Sequence, residues 1–346
     1  MLLRLGKMQI SKLKMVEKIR KVIMRNSFKP LALMKNPHLQ TIIGVSSKFK
    51  GELKSERLIV AVDKGRVAVD CSWQFNREKK PTLIIMHGII GSSSASYVKR
   101  LSYKAFMNGF NVVRVNLRGF GNTEHLSEKM YHAGQSNDLR DVISYLTKKY
   151  KLNNFYLLGF SLGGNLCLKF AGELNNKENI KGIACISPLI DLEVSWKPIE
   201  KFGNIFYRWI FIKGLKSLIR KKARLFPSVY DLSRLKGLNT IRDFDERYQA
   251  PLNNFKDATD YYKKTSAIKV ISRIRTPTLI IHSHDDTITP YEPLIRKEVR
   301  DNPYIIALIT HYGGHVGFLS RDKSEDRYWA ENRAIEFFKM LEAQGF

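Results

Sequence analysis

The chain alternates short apolar runs with longer segments in which apolar residues recur at helical spacing. Short apolar runs are typical of strands that are buried on both faces of a parallel sheet. The segments predicted to be strands are residues 58–62, 67–75, 82–86, 111–115, 155–158, 183–186, 278–281 and 305–309. The segments predicted to be helices are residues 97–108, 138–149, 162–174 and 325–341. This alternation predicts an α/β fold, with a mostly parallel central sheet and helices on both of its faces.

The alternation is interrupted between residues 189 and 268. This stretch is rich in aromatic and basic residues and has no clear strand, and the strand pattern resumes at residue 278. We therefore expect one domain over residues 30–346 with an inserted helical cap at about residues 189–268. The preceding residues 1–29 are predicted to form a basic leader outside that domain.

A serine stands where one predicted strand passes directly into a predicted helix. Gly159, Ser161 and Gly163 give the pattern G-x-S-x-G between the strand at 155–158 and the helix at 162–174. Such a turn holds the serine exposed, and its flanking positions need small residues because the backbone reverses sharply. The context predicts that Ser161 is the nucleophile of an α/β-hydrolase fold. The alternative is an ordinary turn of small residues.

A serine hydroxyl needs a base and an orienting acid, and in this fold the acid follows the serine and precedes the histidine. Asp285 and Asp286 both follow the predicted strand at 278–281. We assign the acid to Asp286 because it stands four positions before Pro290, the usual offset in the acid loop of this fold. Asp285 is the alternative, with a role as a turn or helix-capping residue if Asp286 is the acid.

Four histidines lie near the predicted acid. His315, on the glycine-rich loop HYGGHVGF, is assigned as the base, whereas His311 is closer to a strand and is expected to be structural. His282 and His284 form the string HSHDD with the acids, which resembles a metal-binding string. No cysteine or H-E-x-x-H element supplies further ligands, so we expect neither a metal nor an organic cofactor.

The negative charge of the transition state requires backbone N–H donors. One is expected from Leu162, the residue after the nucleophile. The other is expected from the loop HGIIG after the strand at 82–86, where we assign Ile89. Each such donor contributes roughly 3 to 4 kcal/mol to the transition state.

The amino-acid composition indicates the compartment in which the protein works. The chain is 44% hydrophobic and 26% charged, and its three cysteines form no CxxC pair. These properties are typical of a folded intracellular protein with reduced thiols, and no apolar run resembles a membrane span. We expect a cytoplasmic protein, with peripheral contact at the inner face of the membrane as an open possibility. The sequence indicates no oligomeric state.

The positive charge raises the question of an anionic partner. With 59 basic and 32 acidic residues, the net charge is +27. Lipid headgroups, nucleic acid or acidic proteins would all attract such a chain, and a general lysine bias explains the charge equally well. We expect no specific nucleic-acid partner, because no recognised nucleic-acid-binding motif is present.

One basic stretch in the predicted cap has helical spacing. Residues 208–224 (RWIFIKGLKSLIRKKAR) place Phe211, Leu215, Leu218 and Ile219 on one face. This face would either lie on an anionic bilayer or pack on the core while the charges face solvent. The leader would be a second membrane contact in the first case.

Several motifs together resemble the YheT-like α/β-hydrolases. They are NPHLQT from Asn36, HGIIGSSSASY from His87, NLRG from Asn116, GFSLGGN from Gly159 and GGHVGF from Gly313. The resemblance extends from about Phe28 to the C-terminus. It implies a carboxylic ester hydrolase acting on small-molecule, acylglycerol or other lipid esters.

The resemblance also implies the triad Ser161, Asp286 and His315. Two alternatives remain. One is an acyltransferase that uses the same acyl-enzyme, and the other is a ligand-binding protein without turnover.

Overall fold

The computed structural model describes residues 2–174 and 179–344, and the strands of that part form one eight-stranded sheet. The strands are β1 (Glu56–Val62), β2 (Gly65–Ser72), β3 (Thr82–Met86), β4 (Asn111–Val115), β5 (Phe155–Phe160), β6 (Ile180–Ile186), β7 (Thr278–Ser283) and β8 (Ile305–Thr310). Their order across the sheet is β1-β2-β4-β3-β5-β6-β7-β8. The pairs β1–β2 and β2–β4 are antiparallel, and all other neighbours are parallel. The mostly parallel sheet predicted from the sequence is confirmed.

Six of the eight predicted strands differ from the observed strands by one to three residues at an end, and only β2 was predicted to extend too far. β2 ends at Ser72 instead of residue 75. The Gln74 N–H donates to the side-chain Oδ1 of Asn111 over 3.0 Å, so the chain has left the strand ladder at that point.

Helices cover both faces of the sheet. In the described residues they are α1 (Leu2–Ile23), α2 (Pro37–Ser46), α3 (Ser96–Met107), α4 (Ser136–Tyr150), α5 (Leu162–Gly172), α6 (Leu192–Ser195), α7 (Lys197–Glu200), α8 (Ile205–Leu225), α9 (Ile241–Phe244), α10 (Ala250–Leu252), α11 (Ala258–Thr265), α12 (Lys297–Arg300) and α13 (Trp329–Glu342). The helices predicted at 97–108, 138–149, 162–174 and 325–341 correspond to α3, α4, α5 and α13.

Two apolar layers sandwich the sheet. One layer joins the sheet to α1, α3 and α13, with Leu101 and Phe338 among its buried residues. The other layer joins the opposite face to α4, α5 and α8, with Val142 and Phe170 among its buried residues. Each central strand is therefore apolar on both faces, as its continuous apolar run requires.

The basic segment at the N-terminus is part of this packing. Val16, Ile19 and Ile23 of α1 are buried in the layer that also contains α13. The Arg20 guanidinium donates over 3.1 Å to the carbonyl oxygen of Ile305, at the start of β8. This helix was not predicted, because cations interrupt every apolar run of the segment and only helical spacing joins its apolar residues into a stripe. The packing of the domain thus extends ahead of residue 30.

Between β6 and β7 the described residues form helices and turns without a strand. Leu215, Leu218 and Ile219 of the longest helix, α8, are at most 3% exposed. Their apolar face therefore packs on the core, which was the second alternative for residues 208–224. Phe211, predicted on the same face, is partly buried against it.

One cation of that helix is buried with its charge fully coordinated. The Lys222 ammonium donates to three backbone carbonyl oxygens, those of Glu124, Ser127 and Glu128. Burial lowers the pKa of Lys222 to about 8. This lysine fixes the loop after β4 to α8 and does not face solvent.

Candidate active site

The nucleophile candidate lies at the strained turn between β5 and α5. Ser161 has φ 53° and ψ −118°, a backbone conformation that residues with a side chain rarely adopt. A Cβ on Gly163 would lie 2.5 Å from the carbonyl oxygen of Met86, so this position admits only glycine. These two features explain why the turn has the sequence G-x-S-x-G.

Backbone hydrogen bonds fix this turn against the neighbouring strand. The Ser161 N–H donates to the carbonyl oxygen of Ile186 over 3.0 Å, and the Ser161 carbonyl oxygen accepts from the Gly164 N–H over 2.9 Å. Ser161 is 6% exposed. Ser161 is therefore largely shielded from solvent.

Asp286 and His315 are joined directly. His315 Nδ1 lies 2.8 Å from Asp286 Oδ2 and 3.1 Å from Oδ1. Asp286 Oδ1 also accepts from the N–H groups of Ile288 and Thr289 over 2.8 and 3.0 Å. Burial alone would raise the pKa of Asp286, but the adjacent His315 and these donors lower it overall. The carboxylate is therefore ionised and able to orient the imidazole.

The neighbouring carboxyl group has a different role. Asp285 Oδ1 accepts from the Gly314 N–H over 2.9 Å, so it supports the loop that carries His315 and does not contact the imidazole. Burial raises the pKa of Asp285.

The other histidines do not join the pair of Asp286 and His315 directly. His311 stacks on His284, with ring centroids 5.5 Å apart. His282 is buried behind the acid, with Nε2 3.8 Å from Asp286 Oδ2, and this nitrogen has no hydrogen-bond partner among the described residues. Burial lowers the pKa of His282.

Ser161 and His315 follow the C-terminal ends of the parallel strands β5 and β8, so they lie at the same end of the sheet. The Val316 N–H donates over 3.0 Å to the hydroxyl of Ser187, which directly follows β6. Ile186, the last residue of β6, accepts the N–H of Ser161. Within the described part of the chain no hydrogen bond joins the Ser161 hydroxyl to the imidazole. The structure therefore pairs the predicted acid and base, and it ties both Ser161 and the His315 loop to the C-terminal end of β6.

The loop after β3 lies against the nucleophile. A Cβ on Gly88 would lie 3.1 Å from the Ser161 Cβ, so the loop that carries Ile89 is in close contact with Ser161 at Gly88. Leu162 begins α5, and the first N–H groups of a helix have no intrahelical acceptor. In the described residues neither the Ile89 nor the Leu162 N–H donates to a protein acceptor. Both predicted oxyanion donors are therefore available to a ligand.

A buried histidine fixes the start of this loop by hydrogen bonds. His87 Nε2 accepts from the Leu117 N–H over 3.1 Å, and Nδ1 lies 2.7 Å from the carbonyl oxygen of Gly88. Burial lowers the pKa of His87 to about 4. The ring is therefore neutral at physiological pH. Its Nε2 accepts a hydrogen bond, so Nδ1 carries the proton and donates to the loop.

The NPHLQT string, for which the sequence analysis derived no role, supports the base. The Thr41 hydroxyl accepts from the His315 N–H over 2.8 Å and donates to the carbonyl oxygen of Pro37 over 2.8 Å. Gln40 Oε1 accepts from the Leu319 N–H over 2.6 Å. A Cβ on Gly314 would lie 2.7 Å from the Thr41 hydroxyl oxygen, so α2 and the histidine loop are in close contact.

A sequence signal for this contact did exist. The Asn36 side chain accepts from the N–H groups of His38 and Leu39, so the string begins with a helix cap that turns Gln40 and Thr41 inward. His38 packs elsewhere: its ring stacks on Tyr207 of α8 at 5.7 Å, with Nδ1 3.2 Å from the phenolic oxygen.

A cavity of about 410 Å³ adjoins the oxyanion loop. Its lining includes Ile90 and Gly91 of that loop, Phe120 after β4, and Leu218 and Lys221 of α8. Ser161 does not line this cavity. The space therefore lies between the end of that loop, the loop after β4 and α8.

No group of three or more His, Cys, Asp or Glu side chains is arranged to hold a metal ion in residues 2–174 and 179–344. No helix in the same residues is both long enough and apolar enough to cross a bilayer.

The chain is similar in sequence to known hydrolases. The family profile described as the alpha/beta hydrolase fold matches residues 81–319. The chain is 31% identical to a monoacylglycerol lipase of Saccharomyces cerevisiae over 82% of its own length and 63% of that protein. It is 29% identical to the putative esterase YheT of Escherichia coli over 77% of its length and 79% of that protein. It is also 26% identical to the phospholipase ABHD3 of Bos taurus over 80% of its length and 68% of that protein.

Solved structures share the fold. An esterase of Pyrococcus furiosus, Pf2001, superposes with a TM-score of 0.55 and 18% identity over 88% of this chain and 97% of the esterase. A 2,6-dihydroxy-pseudo-oxynicotine hydrolase superposes with a TM-score of 0.54 and 16% identity over 83% of this chain and 67% of that chain. At such identities the likeness concerns the fold.

Proposed function

The chain belongs to the YheT-like α/β-hydrolases, and we propose that it is a serine hydrolase that cleaves carboxylic esters through an acyl-serine intermediate. One observation carries the proposal. The imidazole of His315 is held 2.8 Å from the buried carboxylate of Asp286, at the same end of the sheet as Ser161. An oriented histidine beside a serine on a strained strand-to-helix turn is the arrangement that activates a hydroxyl.

In the first half of the reaction, Ser161 attacks the ester carbonyl carbon. His315 takes the hydroxyl proton through Nε2, while Asp286 accepts the hydrogen bond from Nδ1–H and stabilises the imidazolium. The N–H groups of Ile89 and Leu162 donate to the oxyanion of the tetrahedral intermediate. His315 then gives its proton to the leaving alcohol as the carbon–oxygen bond breaks.

In the second half, water replaces the alcohol. His315 accepts a proton from the water as its oxygen attacks the acyl carbon, and the same donors stabilise the second oxyanion. Collapse of that intermediate releases the carboxylic acid and returns the proton to Ser161. The enzyme ends in its starting state without a cofactor.

We assign the substrate to lipid esters. The names of the relatives support this choice, because they include a monoacylglycerol lipase and a phospholipase. The cavity beside the oxyanion loop offers apolar contacts from Ile90 and Leu218 to part of such a substrate.

A fluorophosphonate probe tests the proposal, because it reacts covalently only with an activated serine. The native chain should be labelled, and Ser161→Ala should not. A series of p-nitrophenyl esters of increasing acyl length then measures the preference for the acyl group. Equal labelling of both chains would contradict the assignment of the nucleophile.

A further inference from the structure

The outer face of α8 changes character along its length. Four large apolar side chains at its start are each more than half exposed: Phe202, Ile205, Phe206 and Trp209. We call these four residues the apolar patch. Further along the same exposed side of the helix stand Lys213, Arg220 and Arg224, which we call the basic stripe. The helix thus presents an apolar end and a cationic end to solvent.

Core packing does not explain the apolar patch, because the opposite face of α8 already packs on the core. Single exposed apolar residues are ordinary, but adjacent ones indicate a contact surface. Phe206 and Trp209 stack with ring centroids 6.4 Å apart. The Lys213 ammonium lies 4.6 Å over the Trp209 ring, so the patch and the stripe are continuous.

The patch lies beside the candidate active site. Asn204, just ahead of α8, donates over 2.8 Å to the carbonyl oxygen of Thr287, the residue after Asp286. Tyr207, which stacks on His38, links the start of α8 to α2. Leu39 and Ile42 of α2 are also exposed, which extends the apolar surface across the second helix.

We propose that the apolar patch and the basic stripe dock the protein on an anionic bilayer surface. The inference rests on the proposed hydrolysis of lipid esters, because docking here brings the reacting centre close to lipid. Aromatic side chains favour the boundary between headgroups and acyl chains, and lysine and arginine favour the anionic headgroups. A helix with both features along one side fits this boundary.

The positive charge of the chain favours an anionic bilayer, and not a second copy of the chain, as the partner of this surface. Two copies would bring together two basic stripes and two chains of net charge +27, and like charges repel. The three cations of the stripe form no ion pair with a described residue, so their charges are available to a partner. An anionic membrane supplies both the apolar boundary and the opposite charge.

The two features should act together. A single weak anchor gives only marginal membrane binding, and stable binding takes a second signal. Each surface cation contributes about 1 kcal/mol, or about 5-fold in affinity, on an anionic membrane. Since charges are screened beyond about 8 Å at physiological ionic strength, the binding should weaken as salt rises.

Vesicle co-sedimentation of the full chain tests the proposal. Binding should be strong with vesicles that contain phosphatidylglycerol and weak with phosphatidylcholine alone. The variant Phe202→Ser/Ile205→Ser/Trp209→Ser should lose most of the binding. The variant Lys213→Gln/Arg220→Gln should weaken binding by about 25-fold if each cation contributes about 5-fold.

The opposite edge of the sheet supplies matched controls. Phe75 is an exposed aromatic residue after β2, and Lys79 and Lys80 are exposed cations ahead of β3. Phe75→Ser and Lys79→Gln/Lys80→Gln should bind vesicles like the native chain. Equal losses in controls and patch variants would overturn the proposal, because the binding would then follow overall charge or apolarity. A dimer dissolved by the patch variant would overturn it in favour of a second copy.

Two further measurements separate this inference from the proposed function. Turnover of a short water-soluble ester should be unchanged in the patch variants and lost in Ser161→Ala. Lipids with brominated acyl chains should quench tryptophan fluorescence in the native chain and much less in Trp209→Phe. Soluble turnover without vesicle binding would leave the esterase standing and overturn the docking surface.

Discussion

Ser161 and His315 are held by different kinds of interaction. The position of Ser161 is set by its own backbone, through the turn between β5 and α5 and hydrogen bonds of its N–H and carbonyl groups. The position of His315 depends on side chains from distant segments, namely Asp286, the hydroxyl of Thr41 and the carboxylate of Asp285 beneath Gly314. Residues adjacent in sequence therefore position Ser161, whereas side chains from separate segments of the chain position His315.

This difference predicts two kinds of sensitivity. The nucleophile should tolerate loss of its side chain structurally, because the turn does not need the hydroxyl, while the chemistry is abolished. The base should depend on residues that never contact the substrate, because they set where the imidazole points. Four substitutions, taken from the largest expected effect to the smallest, test the comparison.

Ser161→Ala should lower ester turnover by roughly 10⁶-fold, the scale seen when the nucleophile of a triad is lost. The thermal unfolding midpoint should stay close to that of the native chain, because the hydroxyl makes no hydrogen bond with the described residues. Steady-state kinetics and circular dichroism measure the two quantities. Ser228→Ala, at an exposed serine in the turn after α8, serves as the control. Turnover near the native level would refute the assignment.

Asp286→Asn should lower turnover by roughly 10⁴-fold, because the amide no longer fixes the imidazole tautomer that accepts the serine proton. Asp285→Asn should be much milder, since Asp285 contacts the Gly314 N–H and not the ring. The same kinetic assay compares the pair directly. A larger loss in Asp285→Asn would mean that the wrong carboxylate has been assigned.

Thr41→Val should lower turnover by up to about 100-fold, because the His315 N–H loses its acceptor and the imidazole can shift. Thr41→Ser keeps a hydroxyl and should recover most of the activity. If Thr41 had a purely structural role, Thr41→Val would lower stability without the difference in activity between the Val and Ser variants. Unfolding midpoints are therefore measured alongside kcat and KM. Equal activities of the Val and Ser variants would rule out a positioning role for the hydroxyl.

Ser161→Gly should be more stable than Ser161→Ala by about 1 kcal/mol, because glycine adopts positive φ without the strain that a Cβ causes. Both variants are inactive, so stability is compared without any difference in function. Denaturant unfolding measures the free energy of unfolding of each. A less stable glycine variant would show that the turn at Ser161 stores no strain.

The features that could be predicted from the sequence are those determined by residues close together in the chain. The central strands β3 to β8 could be predicted because a buried parallel strand is a continuous apolar run, and Ser161 stood in a contiguous string between a strand and a helix. Asp286 and His315 were selected by chain order and loop composition, and the structure places them in contact.

The features that could not be predicted are those at which distant segments meet. The apolar stripe of α1 is divided by cations, and only its packing against α13 and the sheet reveals it. Thr41 supports a loop that is 274 residues away in the sequence, and no local pattern encodes such a contact. The exposed start of α8 was also missed, because the attention given to Leu215, Leu218 and Ile219 concerned the side that packs on the core.

The distance between Thr41 and His315 has a consequence for biosynthesis. Ribosomes add about 5 to 20 residues per second, so α2 emerges on the order of tens of seconds before the loop that it supports. During that interval a nascent chain comes to carry the nucleophilic turn at Ser161 but lacks its base. We expect the ability to cleave esters to arise only when β8 and the His315 loop have been translated and have folded against α2.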